Sequence, residues 1–337
     1  LYWVKVQDAT FKANRSIGFS GDQLYKLNTQ QLKFTKDLAL QYGIAGEEIL
    51  KLSNGFANAT GRAAVMPEST VKSMAAVSKF SSDETLFSWQ DQMDKLGISA
   101  KDTSEMMGLA ELRAQKFGLN TSKATENIAK NLALANKYTF ASGVDGITRM
   151  SLRAQALRVD MQNIMNSADN FSDIEKAISN SANIQMLGGN YAANFSNPMQ
   201  TLYESMNDPE ALEKRIERTL QGKGKFDEKT GEVRLNGLDM QFIKQFGESS
   251  GIGGETAVQM AKSLTRNNII DNQLGRGFSQ SDKAAVENLA QYNSSKRQFE
   301  VYDYNSGKNI SLKDLTPKKL KELQGTTIDE KTAYGDI

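Results

Sequence analysis

Glu47, Glu48 and Glu111 are the side chains in this sequence best suited by type to acid chemistry. A carboxylic acid cleaves a glycan only with a second carboxyl held across the sugar site. Glu47 and Glu48 are neighbours, so on a helix they point in different directions. They also follow a Gly corner, where the positive end of a new helix favours acids. A helix-start role is the simpler expectation for both. Gly251-Ile252-Gly253-Gly254 precedes a helical stretch, and helix N-termini can hold phosphate. It lacks the Gly-Lys-Ser/Thr ending of a P-loop. Gly222-Lys223-Gly224-Lys225 reads as a flexible basic turn. Asp303-Tyr304-Asn305-Ser306-Gly307 has calcium-loop residue types, but its Gly comes one place early and no Glu closes it, so a hairpin turn is expected. The chain contains no Cys and no His. Disulfides, thiol nucleophiles, Cys/His zinc sites and a His general base are therefore excluded within it. No catalytic, cofactor-binding or metal-binding residue is expected, and no enzymatic activity.

What must position any site is a string of helices. One phrase recurs between helical stretches: Gly-Ile-Ala-Gly at 43–46, Gly-Ile-Ser-Ala at 97–100, Gly-Leu-Asn-Thr at 118–121, Gly-Val-Asp-Gly at 143–146 and Gly-Ile-Gly-Gly at 251–254. Each reads as a helix end. Gly takes the left-handed conformation, the next apolar residue packs back, and a small or polar residue starts the next helix. The 337 residues carry 41 Lys+Arg against 40 Asp+Glu, a balance that favours neither nucleic acid nor an anionic surface. No apolar run reaches the roughly 18 residues of a membrane span. A chain opening on Leu1, with no charged-then-apolar leader, reads as a piece of a longer polypeptide. Only 4 Pro are present, which suits helices.

The expected fold class is mainly α, with short helices joined by Gly corners, helical hairpins with coiled-coil-like packing, and one or two small β-hairpins. Four regions are expected: 1–96 helical, 97–221 helical repeats, 222–296 a hairpin plus helices, and 297–337 a hairpin, a short helix and a loose tail. Tyr2, Val4 and Val6 alternate like a short strand. Helices are expected over 22–42, 47–57, 121–142, 238–247, 254–271 and 280–296. Hairpins are expected near 225–235 and 299–312, the second turning at Asn305-Ser306-Gly307. Thr316-Pro317 starts a short basic helix.

Over 97–196 the pattern resembles phage tail tape measure proteins. Phe117-Gly118-Leu119-Asn120-Thr121 opens an Ala-rich helix, Gly143-Val144-Asp145 leads into 149–168, and Leu187-Gly188-Gly189 closes the block. The stretch from Asn190 through Pro198 to Tyr203-Glu204-Ser205-Met206 is similar to such proteins in phages infecting gut Bacteroidales. The resemblance implies a virion protein made in the bacterial cytoplasm and located in the tail lumen or baseplate. It would act in tail assembly and genome ejection, with other copies of itself and with tail tube and baseplate hub proteins as partners. The Gly-interrupted character departs from the long uninterrupted helix of the family and points to an ordered terminal region. Two alternatives from other classes are a virion-associated peptidoglycan hydrolase using Glu47, Glu48 or Glu111, and a helical scaffold or adaptor unrelated to phage.

The most regular apolar stripe is Ile147, Met150, Ala154, Leu157, Met161, Ile164 and Ala168, spaced alternately by three and four. It is the candidate packing or oligomer seam, covered either by a helix of the same chain or by a second copy. Arg149, Arg153, Arg158 and Asp160 lie off the stripe, on what reads as its solvated side. Leu157→Asp is therefore expected to bury an unpaired charge and disrupt folding or assembly, whereas Arg153→Ala is expected to do little, as thermal melting and sedimentation would show.

Overall fold

A computed structural model describes residues 2–324. The described chain divides into two compact units, one of residues 2–113 with 121–133, the other of 114–120 with 134–324. The first unit holds α1 (Tyr2–Ser16), α2 (Gly21–Tyr42), α3 (Gly46–Thr60), α4 (Glu68–Val77), α5 (Asp83–Lys95), most of α6 (Ala100–Lys116) and α7 (Thr121–Asn131). Tyr2, Val4 and Val6 are helical, not a strand. The buried positions are Val6, Thr10 and Asn14, one stripe at helical spacing, so the three-residue alternation carried no strand signal. A 3-10 turn at Leu132–Asn136 follows α7, so the helix expected over 121–142 is shorter.

A buried amide ladder crosses the first three helices. Asn14 Nδ2 donates to Asn28 Oδ1 at 2.6 Å and to Gln31 Oε1 at 2.5 Å. Gln31 Nε2 donates in turn to Ser53 Oγ at 2.7 Å and Asn54 Oδ1 at 3.1 Å. Gln31 thus binds α1 to α3 from the middle helix.

The second unit holds α8 (Gly143–Leu157), α9 (Met161–Asn170), α10 (Ile174–Gln185), α11 (Gly189–Asn194), α12 (Pro198–Asn207) and α13 (Pro209–Leu220). The hairpin β1 (Lys225–Asp227) and β2 (Glu232–Arg234) follows, then α14 (Gly237–Ser250), α15 (Gly254–Gln273) and α16 (Gln280–Leu289). A three-stranded antiparallel sheet, β3 (Gln291–Asn293), β4 (Gln298–Asp303) and β5 (Lys308–Ser311), precedes α17 (Pro317–Leu323). The fold is mainly α with small hairpins, as its periodicities imply. The helix expected over 280–296 stops at Leu289, because Gln291 to Asn293 pair with Glu300 to Gln298 as an extra strand. The expected loose tail from 325 lies outside the described residues.

The unit's core is built on aromatic rings. Phe195 stacks on Phe171 at 5.9 Å and meets Phe246 edge-on at 5.6 Å, and Tyr191 lies 5.4 Å from Phe246. Leu157, Ile184, Leu212, Ile216 and Met260 fill the space around them. A second cluster gathers Phe299, Val301, Val286 and Leu320 under the sheet, with Phe226 and Tyr292 packed on it.

All five Gly that open the recurring phrase, Gly43, Gly97, Gly118, Gly143 and Gly251, have φ between 57° and 87°. Gly97 and Gly118 make the full corner, with N–H bonds back to Asp94 and Gln115, while Ile98 and Leu119 bond Met93 and Ala114. Gly143 opens α8 instead of ending a helix. The same corner occurs at 158–159 without Gly. Arg158 has φ 59°, its N–H bonds Gln155 O at 3.1 Å, and Val159 N bonds Ala154 O at 3.0 Å. Asp160 then caps α9 by accepting from Gln162 N. The stripe from 147 to 168 is therefore carried by two helices, not by one coiled-coil-like rod.

Gly247 sits inside α14 where the start of α15 crosses. A Cβ there would stand 2.5 Å from Gly253 O and 2.8 Å from the Ala257 Cβ. Alanine gains about 1 kcal/mol in helix propensity over glycine, but a rigid overlap of this kind costs about 1–3 kcal/mol. Gly247→Ala should lower stability in urea unfolding; an increase would mean that the two helices do not approach so closely.

Candidate functional site

The seven stripe residues are all buried, none more than 3% exposed. Leu157 belongs to the aromatic cluster of the second unit. The helix break at Arg158 turns the stripe's second half, Met161, Ile164 and Ala168, onto α9.

Of the residues read as the solvated side of the stripe, Arg158 and Asp160 are exposed, but Arg149 and Arg153 are drawn into contacts with α13. Arg149 grips Glu210 through both carboxylate oxygens, Nε at 3.0 Å and Nη2 at 2.8 Å, and its other arm pairs with Asp145. Arg153 donates from Nη1 to Glu213 Oε2 at 2.9 Å, and lies 3.4 Å from Glu210 and 3.8 Å from Glu217. The partners follow from α13, whose acids at 210, 213 and 217 recur at helical spacing and meet an Arg pair spaced by four on α8. Glu213 is fully buried, and its Oε1 has no hydrogen-bond partner. Hydrogen bonds from Arg149 hold Glu210 down at about 2. Burial pushes Glu213 and Glu217 up, against the pull of Arg153. A single guanidinium thus faces the buried Glu213 and the partly buried Glu217, an arrangement that favours retaining a proton between them.

The most unusual surface lies on α10 and α12, which pack against each other. On α12 the buried residues are Thr201, Glu204 and Ser205. Glu204 pairs with the buried Arg215 of α13, whose Nη1 also donates to Thr201 Oγ1 at 2.9 Å. Ser205 Oγ donates to Phe171 O at 3.0 Å. Leu202 packs on the aromatic cluster, but the larger apolar residues of this helix, Met199, Tyr203 and Met206, face outward, Tyr203 64% exposed. On α10, Ile174 and Ile178 are exposed while Ala177 and Ser181 are buried, and Met186 just beyond it is 75% exposed. α12 therefore buries three polar residues beside Leu202 and turns three large apolar side chains outward. Local sequence fixes its placement: Asn197 caps it by accepting from Met199 N and Gln200 N, with Pro198 in its first turn.

The carboxyls weighed for acid chemistry fall into separate settings. Glu47 and Glu48 occupy the first turn of α3 and are exposed. Glu111 is buried and accepts from Ser81 Oγ at 3.2 Å, while burial pushes its carboxyl up to about 8. Gly251 and Gly253 form the α14–α15 corner, with Gly254 N donating to Glu248 Oε1 at 2.7 Å. Asp303 accepts from Asn305 N and Ser306 Oγ and pairs with Lys319 at 3.0 Å, a turn cap satisfied by a lysine. Among the described residues no group of three or more acids is placed to hold a metal ion. No described helix is long and apolar enough to cross a membrane.

Comparison of the chain with protein-family models, with curated proteins and with solved structures finds no match.

The Arg153 geometry reverses the effect expected for its removal. Without Arg153, both Glu213 and Glu217 must be neutral or leave a charge buried, a change that costs about 3–5 kcal/mol for a buried pair. A carboxyl raised in the folded state stabilises below its unfolded value, near 4.5, and the contribution is lost as pH rises through the folded value. Arg153→Ala should therefore destabilise strongly in urea at pH 8 and less at pH 5, since burial raises both carboxyls and a lower pH favours their neutral forms. An equal loss at both pH values would mean that Arg153 acts through packing alone.

Proposed function

We propose that this chain is a non-catalytic structural module of a phage tail, a tape measure segment of the tail tube or baseplate that serves tail assembly and genome delivery. In this reading it associates with further copies of itself through the α10–α12 face. One observation carries the proposal: the inside-out α12. A helix that turns Met199, Tyr203 and Met206 to solvent, and buries Glu204 against Arg215, has an outer face suited to a partner. That face lies in the stretch, Asn190 through Met206, whose sequence is similar to tape measure proteins. Six of the large exposed apolar residues of the chain fall between Ile174 and Met206.

Charge favours a second copy as the occupant. The one residue of α12 charged at neutral pH is Glu204, and it is turned inward. The outer side of α12 thus carries no charge to repel a copy of itself, and the exposed Glu175 and Lys176 of the neighbouring α10 are of opposite sign, which suits an isologous contact. The 147–168 stripe is less suited to this role, since its side chains are already buried.

Sedimentation velocity on the chain should show concentration-dependent association. Tyr203→Lys with Ile178→Lys, both at exposed positions, should abolish it without lowering the melting temperature. A chain that stays monomeric, or a double variant that associates as the parent does, would remove the self-association. The tail assignment has its own measurement. Antibody labelling of intact particles should place several copies along the tail or at the baseplate; finding the chain only in host complexes would overturn it.

A further inference from the structure

A cavity of about 540 Å³ opens in the second unit between the 158 corner, β2, α15 and α16. Four cations line it: Arg158, Arg234, Lys262 and Arg266. Arg234 is spoken for by Asp227 at 3.0 Å and Glu232 at 3.6 Å. The other three, Arg158, Lys262 and Arg266, have no carboxylate within ion-pair distance among the described residues and share one cavity. Arg266 is held from behind. Its Nη1 and Nη2 donate to the carbonyls of Glu287 at 2.8 Å and Ala290 at 2.6 Å, and its guanidinium lies 5.4 Å from the Phe299 ring. Two of its five N–H groups are used this way, which leaves donors over. Burial and the nearby Arg158 both hold Arg266 below its usual value. Arg158 reaches the cavity from a left-handed backbone position that a glycine occupies at sister corners.

Converging like charges without partners are unfavourable unless an anion joins them. We propose that this cavity binds a phosphorylated small molecule of nucleotide size, its phosphates held by Arg158, Lys262 and Arg266. Guanidinium forks match phosphate oxygens in pairs, and three uncompensated cations suit a diphosphate better than a single carboxylate. The space lies within the range of small-molecule sites, roughly 300–1,000 Å³, and exceeds a bare phosphate. Its remaining wall suits the rest of such a ligand. Asn267 and Asn288 supply amides, and Val233 and Met240 supply apolar surface. Glu287 also lines the cavity, but burial beside Asp271 pushes its carboxyl up to about 7, so it only partly offsets the cations near neutral pH.

Calorimetric titration of the whole chain at low salt, with pyrophosphate, ADP and adenosine as probes, tests the site. Pyrophosphate and ADP should bind saturably and raise the melting temperature; adenosine should do neither. Arg158→Gly and Lys262→Ala should each weaken ADP binding roughly tenfold, the loss of one charged contact. Glycine suits the left-handed position, so Arg158→Gly should melt no lower than the parent, which separates lost binding from lost folding. Lys308→Ala, on an exposed strand away from the cavity, should bind as the parent does. The proposal fails if neither pyrophosphate nor ADP binds up to about 10 mM, far weaker than a built site allows. It fails equally if Arg158→Gly and Lys262→Ala bind normally, or if Lys308→Ala loses as much as they do. Binding of pyrophosphate but not ADP would overturn the nucleotide-sized ligand.

Discussion

The second unit depends on how it neutralises the acids of α13. Glu210, Glu213 and Glu217 form a negative stripe that must face either water or cations, and the fold turns it inward. Arg149 and Arg153 meet it from α8, and Arg215 meets Glu204 one helix away. Three helices are thereby oriented by charge before any apolar contact is counted. A buried ion pair adds little stability over apolar packing, but leaving one member alone is costly. The network therefore acts chiefly as a constraint: α8 and α13 have one acceptable mutual placement, and the aromatic cluster of Phe171, Phe195 and Phe246 forms within it.

That constraint explains why α12 can be inside-out. With Glu204 and Thr201 bonded to Arg215, and Ser205 bonded to the chain at Phe171, the helix is anchored by polar contacts. Beside these contacts only Leu202 packs on the core, and Met199, Tyr203 and Met206 remain on the outside. Contiguous exposed apolar surface of this kind is uncommon on a folded protein and marks the face as unusual.

Much of the fold was legible in the residues. Gly corners were readable because the left-handed position strongly favours glycine. Hairpins at 225–235 and 299–312 were readable from alternation bounded by turn residues. The corner at Arg158 was not, because there tertiary structure holds a non-glycine residue in the same conformation and nothing in its type announces it. Strand β3 was missed because three residues, Gln291-Tyr292-Asn293, are too few for a period and follow directly on a helix. The arginines were misplaced for a different reason. A residue off an apolar stripe reads as solvated unless the opposing helix is known, and the acids of α13 lie about sixty positions further on. Their own spacing was the available signal. Met199, Tyr203 and Met206 carry the same spacing as a core stripe, so no local pattern distinguishes their outward direction.

The amide ladder of the first three helices bears on how that unit folds. Apolar side chains tolerate sliding, since one methyl group resembles another to its neighbour. Asn14, Gln31 and Asn54 do not: a helix displaced by one turn would strand several amides away from both water and partners. Misaligned collapsed states are thus penalised as soon as water leaves the interface. The ladder therefore favours one mutual register of the three helices over shifted ones that apolar contacts alone would not distinguish.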